Sequence, residues 1–235
     1  MSKSVYLSPS TQEKNVGVGN YGTEEKMMNK VADALERVLK GHGLTVYRNK
    51  PEMLLAQVVT DSNNKKPDIH FAIHSNASNG KARGCEVYCH KFGGEAEKLA
   101  RAIYTELSPL TPTSDRGVME GYNHFGTGKP LYELAKTNAP AALIEIAYHD
   151  NSEDAKWITY NIEEIGIALA KGVLKYFGIE HISENHEIGQ AVKLMKEKGI
   201  ISDTDYWVNN AIAGKTVKGD YVAILIKRAA EILSK

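Results

Sequence analysis

Residues 68–74 read Asp-Ile-His-Phe-Ala-Ile-His. In an extended chain, side chains alternate between two faces. Asp68, His70, Ala72 and His74 then share one face, and Ile69, Phe71 and Ile73 form an apolar other face. That period of two predicts a strand, with His74 at its end. Outward from it lie further short apolar runs: residues 4–7 (SVYL), 44–47 (LTVY), 85–90 (CEVYCH) and 141–146 (AALIEI). Helical spacing separates them. Met27, Met28, Val31, Leu35, Val38 and Leu39 recur at helical intervals after Thr23, a suitable N-cap, and Gly41 and Gly43 mark the stop. Residues 95–107 place Ala96, Leu99, Ala100 and Ile103 on one helical face. A further helical stretch opens at Ser152-Glu153-Asp154 and runs through Ile162, Ile165, Leu169 and Val173. Strands alternating with helices predict an α/β fold: a three-layer α/β/α domain with a largely parallel twisted sheet.

After Gly178 the texture changes. Residues 1–178 form the predicted α/β domain, 179–187 (IEHISENHE) a polar linker, and 188–235 a small all-helical C-terminal domain of about three helices. So small a unit cannot build a large core. Its Tyr206-Trp207 pair is expected to anchor that core, with stacking on sugar rings as the alternative.

The 235-residue chain carries 29 Lys plus Arg and 29 Asp plus Glu. A zero formal balance argues against a protein that binds nucleic acid by bulk phosphate neutralisation. Cys85 and Cys89 are the only cysteines. On one strand face they stand ~13 Å apart, too far to bridge, so two partly buried thiols are expected. The first residues hold no apolar signal-peptide core, and no apolar run approaches the ~20 residues of a membrane span. No membrane insertion is expected, and a cytoplasmic location follows as the expectation.

In open α/β sheets, ligands bind at the carboxyl ends of strands. His74 ends one strand there and can ligate a metal or move a proton. Glu145 lies within Ala-Ala-Leu-Ile-Glu-Ile. A carboxylate among such residues needs a cation, a metal or a raised pKa, which suits a general acid/base. Glu24 and Glu25 open the first helix, where acids complement the helix dipole. No G-x-S-x-G, Walker-A, H-E-x-x-H or post-strand G-x-G-x-x-G motif occurs.

These segments, in this order, resemble the zinc-dependent N-acetylmuramoyl-L-alanine amidase family of phage endolysins and bacterial autolysins. The resemblance runs from about Ser4 to Phe177. It rests on Glu25-Lys26-Met27-Met28-Asn29, on the strand ending His74-Ser75-Asn76-Ala77, on Gly84-Cys85-Glu86-Val87-Tyr88, on Asp115-Arg116-Gly117-Val118, and on Asn138 through Glu145 with the following Ala147-Tyr148-His149-Asp150-Asn151. It implies hydrolysis of the amide between N-acetylmuramic acid and L-alanine in peptidoglycan. It also implies one catalytic zinc, Zn2+, with Glu25 and His74 as ligands and Glu145 as catalytic acid/base on the zinc-bound water. Glu25 is preferred to Glu24 because the family pattern places Asn four residues on, at Asn29.

One element of the pattern departs. The family's D-P-G-H-G step reads Ser8-Pro9-Ser10-Thr11-Gln12, so its first His ligand is missing. His149 is the first candidate to replace it, His124 the second, and no protein donor the third. The C-terminal helices then read as a cell-wall-targeting or dimerisation module, and the oligomeric state stays open. Without an export signal such an enzyme is expected to wait in the cytoplasm until lysis, in a phage-infected or a sporulating cell. Two rival readings stand beside it: a catalytically silent wall-binding protein on an amidase scaffold, and a metallopeptidase acting on the stem peptide.

Overall fold

The expected strand at 68–74 is the centre of the sheet. The structure, a computed structural model, describes residues 2–113, 116–182, 184–212 and 215–234. Asp115 of the family-like motif lies outside them, as do Ser183 of the expected linker and Ala213 of the expected C-terminal helical domain. The chain divides into two units, Met1–Glu180 and His181–Lys235.

In the first unit, β1 (Ser4–Pro9), α1 (Glu24–Gly41), β2 (Thr45–Arg48), α2 (Leu55–Lys65), β3 (Ile69–Asn76), β4 (Glu86–Cys89) and α3 (Glu95–Leu107) follow in order. Then come β5 (Gly117–Glu120), α4 (Tyr132–Lys136), β6 (Ala141–Tyr148), α5 (Ser152–Tyr160) and α6 (Ile162–Tyr176). The six strands form one sheet, ordered β2-β1-β3-β6-β4-β5. Every pairing is parallel except β4 with β6. The helical stretch expected to run from Ser152 through Val173 breaks at Asn161, which caps α5 with a non-helical backbone. The α2, β5 and α4 elements were not expected.

Alternation along β3 sorts the layers as read. Ile69, Phe71 and Ile73 join Val5, Leu7, Val87, Ala142 and Ile144 in a buried core against α1, α3 and α6. Each large aliphatic chain buried there stabilises the fold by ~1.5–3 kcal/mol. On the opposite face Ala72, Tyr88 and Leu143 pack with Leu134 of α4. Cys85 and Cys89 are both buried. Thr23 caps α1 as expected, its side chain accepting from the Lys26 N–H.

Two glycines of α6 let its neighbours approach. A Cβ at Gly166 would lie 2.5 Å from Ala34 Cβ, and one at Gly172 would lie 2.5 Å from the Ile103 Cα. The second contact is with backbone and cannot be relieved by a rotamer change. Gly172→Ala is therefore expected to destabilise by about 2 kcal/mol despite alanine's better helix propensity. At this size that is a fall in Tm of ~4–8 °C, readable by calorimetry.

The second unit holds α7 (Glu184–Glu197), α8 (Thr204–Asn210) and α9 (Gly219–Leu233). Helix α7 begins inside the segment expected as linker. Val192, Ile201 and Trp207 form its small core. Tyr206 stacks on Tyr221, with ring centroids 4.4 Å apart. Trp207 is thus a core anchor, as the composition of the pair predicts.

Candidate active site at the sheet edge

Register brings three titratable side chains into one row. His74 of β3 pairs with Glu145 of β6, and Glu145 pairs with Glu86 of β4. Residues directly opposite on neighbouring strands project to the same face. His74 and Glu145, read from sequence, therefore stand side by side near the carboxyl end of β3. Glu86 joins them because β4 runs antiparallel.

The fourth group arrives from the start of α1. Glu24 Oε1 lies 2.8 Å from His74 Nδ1. Its Oε2 accepts from the Asn15 side-chain amide at 2.7 Å. Glu24 is buried; Glu25 is half-buried. Consecutive helical residues point ~100° apart, so only one of the pair can face the sheet edge. The cap at Thr23 gives that position to Glu24, so the Glu25 expected beside His74 is not the residue that meets it.

His149 also lands elsewhere. Regular alternation from Glu145 would put Ala147 and His149 on its face. The β3–β6 ladder shifts register between His74 and Asn76, and Asn76 pairs with Tyr148. A bulge reverses which side chains face the site. His149 is accordingly buried on the other side, its Nδ1 2.9 Å from Ser75 Oγ and its ring stacked on Tyr21. His124 sits edge-on to the Tyr88 ring, at 4.9 Å between centroids. Neither histidine is brought to the Glu24–His74 pair.

The charges are strongly coupled. Burial pushes the Glu145 carboxyl up; His74 opposes this, Glu24 and Glu86 add to it, and the group titrates at about 8. Glu145 Oε2 is enclosed without a hydrogen-bond partner among the described residues. Burial alone would lower His74, but its hydrogen bond to Glu24 and the charges of Glu145, Glu24 and Glu133 raise it to about 9. Burial raises Glu24 as well; hydrogen bonds from His74, Asn15 and Ser10 outweigh it, and its net shift is downward. Glu24→Gln is expected to lower the His74 titration midpoint by about one pH unit or more, the size of a close opposite charge. Glu25→Gln should leave it in place. NMR titration of the imidazole reads both.

Glu86 has its own supports. It accepts from Asn76 Nδ2 at 2.7 Å, from the Tyr88 hydroxyl at 3.0 Å and from Arg116 Nε at 2.6 Å. One layer below, His70 is fully buried between Ser62 Oγ (2.9 Å) and Glu133 Oε1 (2.8 Å), stacked on Tyr6. That supports reading His70 as a core residue.

A catalytic zinc takes three protein donors and keeps one open position. Glu24 and His74 supply two. Where the family has its first His the chain has Thr11, and the preceding Ser10 is buried against Glu24. Among the described residues no group of three or more His, Cys, Asp and Glu side chains is spaced to hold a metal ion. The donor set does not fit the three-ligand zinc that the resemblance implies.

The layered, mainly parallel α/β domain with its polar row at the strand ends has the architecture of a cell-wall amidase catalytic domain. The chain belongs to the N-acetylmuramoyl-L-alanine amidase family, whose model matches residues 5–175. A relative, the probable cell wall amidase LytH of Staphylococcus saprophyticus, is 26% identical over 183 residues, covering 74% of this chain. The chain spans 58% of that relative's length. Among solved structures, the catalytic domain of CwlV from Bacillus (Paenibacillus) polymyxa matches with a TM-score of 0.66 at 21% identity, over 76% of this chain and 99% of that one. The catalytic domain of the CD27L endolysin targeting Clostridia Difficile matches at 0.62 and 20%, over 78% and 100%. At such identities these likenesses define the fold.

Proposed function

We propose that this chain hydrolyses the amide joining the lactyl group of N-acetylmuramic acid to L-alanine in peptidoglycan, with Glu145 as the proton carrier. Family membership supports the substrate class. The observation that carries the role of Glu145 is its enclosed, unpartnered Oε2 in the same row as His74. Its carboxylate form can take a proton from the attacking water, and the carboxylic acid so formed, which burial favours up to about pH 8, can deliver that proton to the departing alanine amine. His74, kept protonated by Glu24, places a positive charge beside the position where negative charge develops on the carbonyl oxygen. No step is assigned to a metal ion, since the donors for one fall short.

That shortage is the specific observation favouring the second reading, a catalytically silent wall-binding protein. Purified walls separate the two. Turbidity loss with newly exposed lactyl carboxyls supports hydrolysis at this bond. Binding to walls without any new ends supports the silent binder, and new ends within the peptide support a peptidase. The second unit we assign to wall targeting or dimerisation. Its α9 exposes Tyr221, Val222, Ile224 and Ile226, apolar side chains available for contact outside the unit. Among the described residues no helix is long and apolar enough to cross a membrane, and the proposed site of action is the cell wall.

A further inference from the structure

Arg116 is built into the site yet leaves most of its hydrogen-bonding capacity unused. Its Nε donates to Glu86 Oε2 at 2.6 Å. Its guanidinium lies 5.5 Å from the Tyr148 ring centroid, over the ring. Glu86 is buried and directly opposite Glu145, so Arg116 stands one residue from the reacting row. One edge and one face of the guanidinium are thereby fixed. A guanidinium has five N–H donors. The four on the Nη atoms have no hydrogen-bond partner among the described residues, and the side chain remains 42% exposed. A planar cation held at its rear and open at its front is a bidentate carboxylate receptor.

Glu24 is paired with His74, and Glu86 takes up only the Nε edge of Arg116, so the Nη edge keeps donors for a substrate carboxylate. If the proposed reaction is correct, the sugar's only carboxyl is consumed in the scissile amide. Any free carboxylate on the substrate therefore lies in the peptide beyond L-alanine. We propose that Arg116 is a specificity-determining residue that binds a carboxylate of the stem peptide, and that the enzyme prefers peptides whose residue after L-alanine keeps a free α-carboxylate. This rests on the amidase reading above and names the substrate feature that the same site selects.

The test uses two N-acetylmuramoyl dipeptides that differ only in a free or amidated α-carboxyl on the second residue. Charge-assisted bonding predicts a kcat/KM ratio of about 10- to 100-fold in favour of the free acid, expressed mainly in KM. Arg116→Gln should bring the ratio near one, and Arg116→Lys should restore part of it. General damage to the fold would depress both substrates alike and leave the ratio intact. A second arm measures binding of the same two compounds to Glu145→Gln and to the double variant, without turnover. Absent hydrolysis with a retained Arg116-dependent binding preference contradicts the amidase reading and leaves the carboxylate receptor standing. A ratio near one in the wild-type chain, or a ratio unchanged by Arg116→Gln, overturns the proposal.

Discussion

Glu145→Gln is expected to lower kcat on muramoyl peptides by about a thousandfold, with KM little changed. The substitution keeps the side chain's shape and removes only its ability to carry a proton, a function worth ~10²–10⁴ in rate. Loss confined to kcat is the signature of an interaction made in the transition state. The same change should raise stability. Glu145 keeps its proton to about pH 8 in the folded chain, whereas an unfolded glutamate releases it near ~4.3. Its contribution to stability is fully present below the unfolded value and is lost as pH rises towards about 8. Gln carries no such penalty. The variant's Tm should therefore exceed that of the wild type at pH 8 by more than at pH 5. An equal difference at both values would place the Glu145 pKa in the ordinary range.

Glu133→Ala is expected to destabilise the first unit by about 3 kcal/mol, or ~6–12 °C in Tm. Glu133 is buried, and it holds the fully buried His70 at 2.8 Å. Truncation leaves His70 Nε2 enclosed without a partner and opens a cavity behind it, two penalties that add. The pair also ties α4 to β3, so the loss reaches the layer that lies under the site. Glu133→Gln keeps an acceptor oxygen and should cost less than half as much. Urea melts of the three proteins measure this. A loss below ~1 kcal/mol in the alanine variant would show that the layer is held by its apolar contacts alone.

The central strands and two of the three residues of the site row were legible in the sequence because each carries a local signal. His74 ends a clean period-two strand, and Glu145 is a lone acid in an apolar run. Glu86 carries that second signal too, a single acid inside Cys-Glu-Val-Tyr-Cys, and could have been read the same way. What stayed hidden depends on geometry of one or two residues. The choice between Glu24 and Glu25 is set by where Thr23 caps the helix. The displacement of His149 comes from a register shift between His74 and Asn76, which leaves no mark in composition. Antiparallel pairing of β4 has no sequence signature of its own, yet it puts Glu86 and Arg116 in the site. Helix α2 escaped because Ser62, Asn63 and Asn64 are weak helix formers; it is held by tertiary contacts such as Ser62 with His70. The break at Asn161 is a capping event inside an otherwise continuous periodicity.

An amidase of this kind is defined by the bond it cleaves and by the residue that moves the proton. The most direct measurement is mass spectrometry of purified peptidoglycan digested in isotope-labelled water by the wild-type chain and by Glu145→Gln. Label is expected in the lactyl carboxylate of muramic acid, with a free L-alanine amine, for the wild type, and both should form about a thousandfold more slowly with the variant. Label in a peptide carboxylate instead, or equal label in the lactyl group from both proteins, would contradict the assignment.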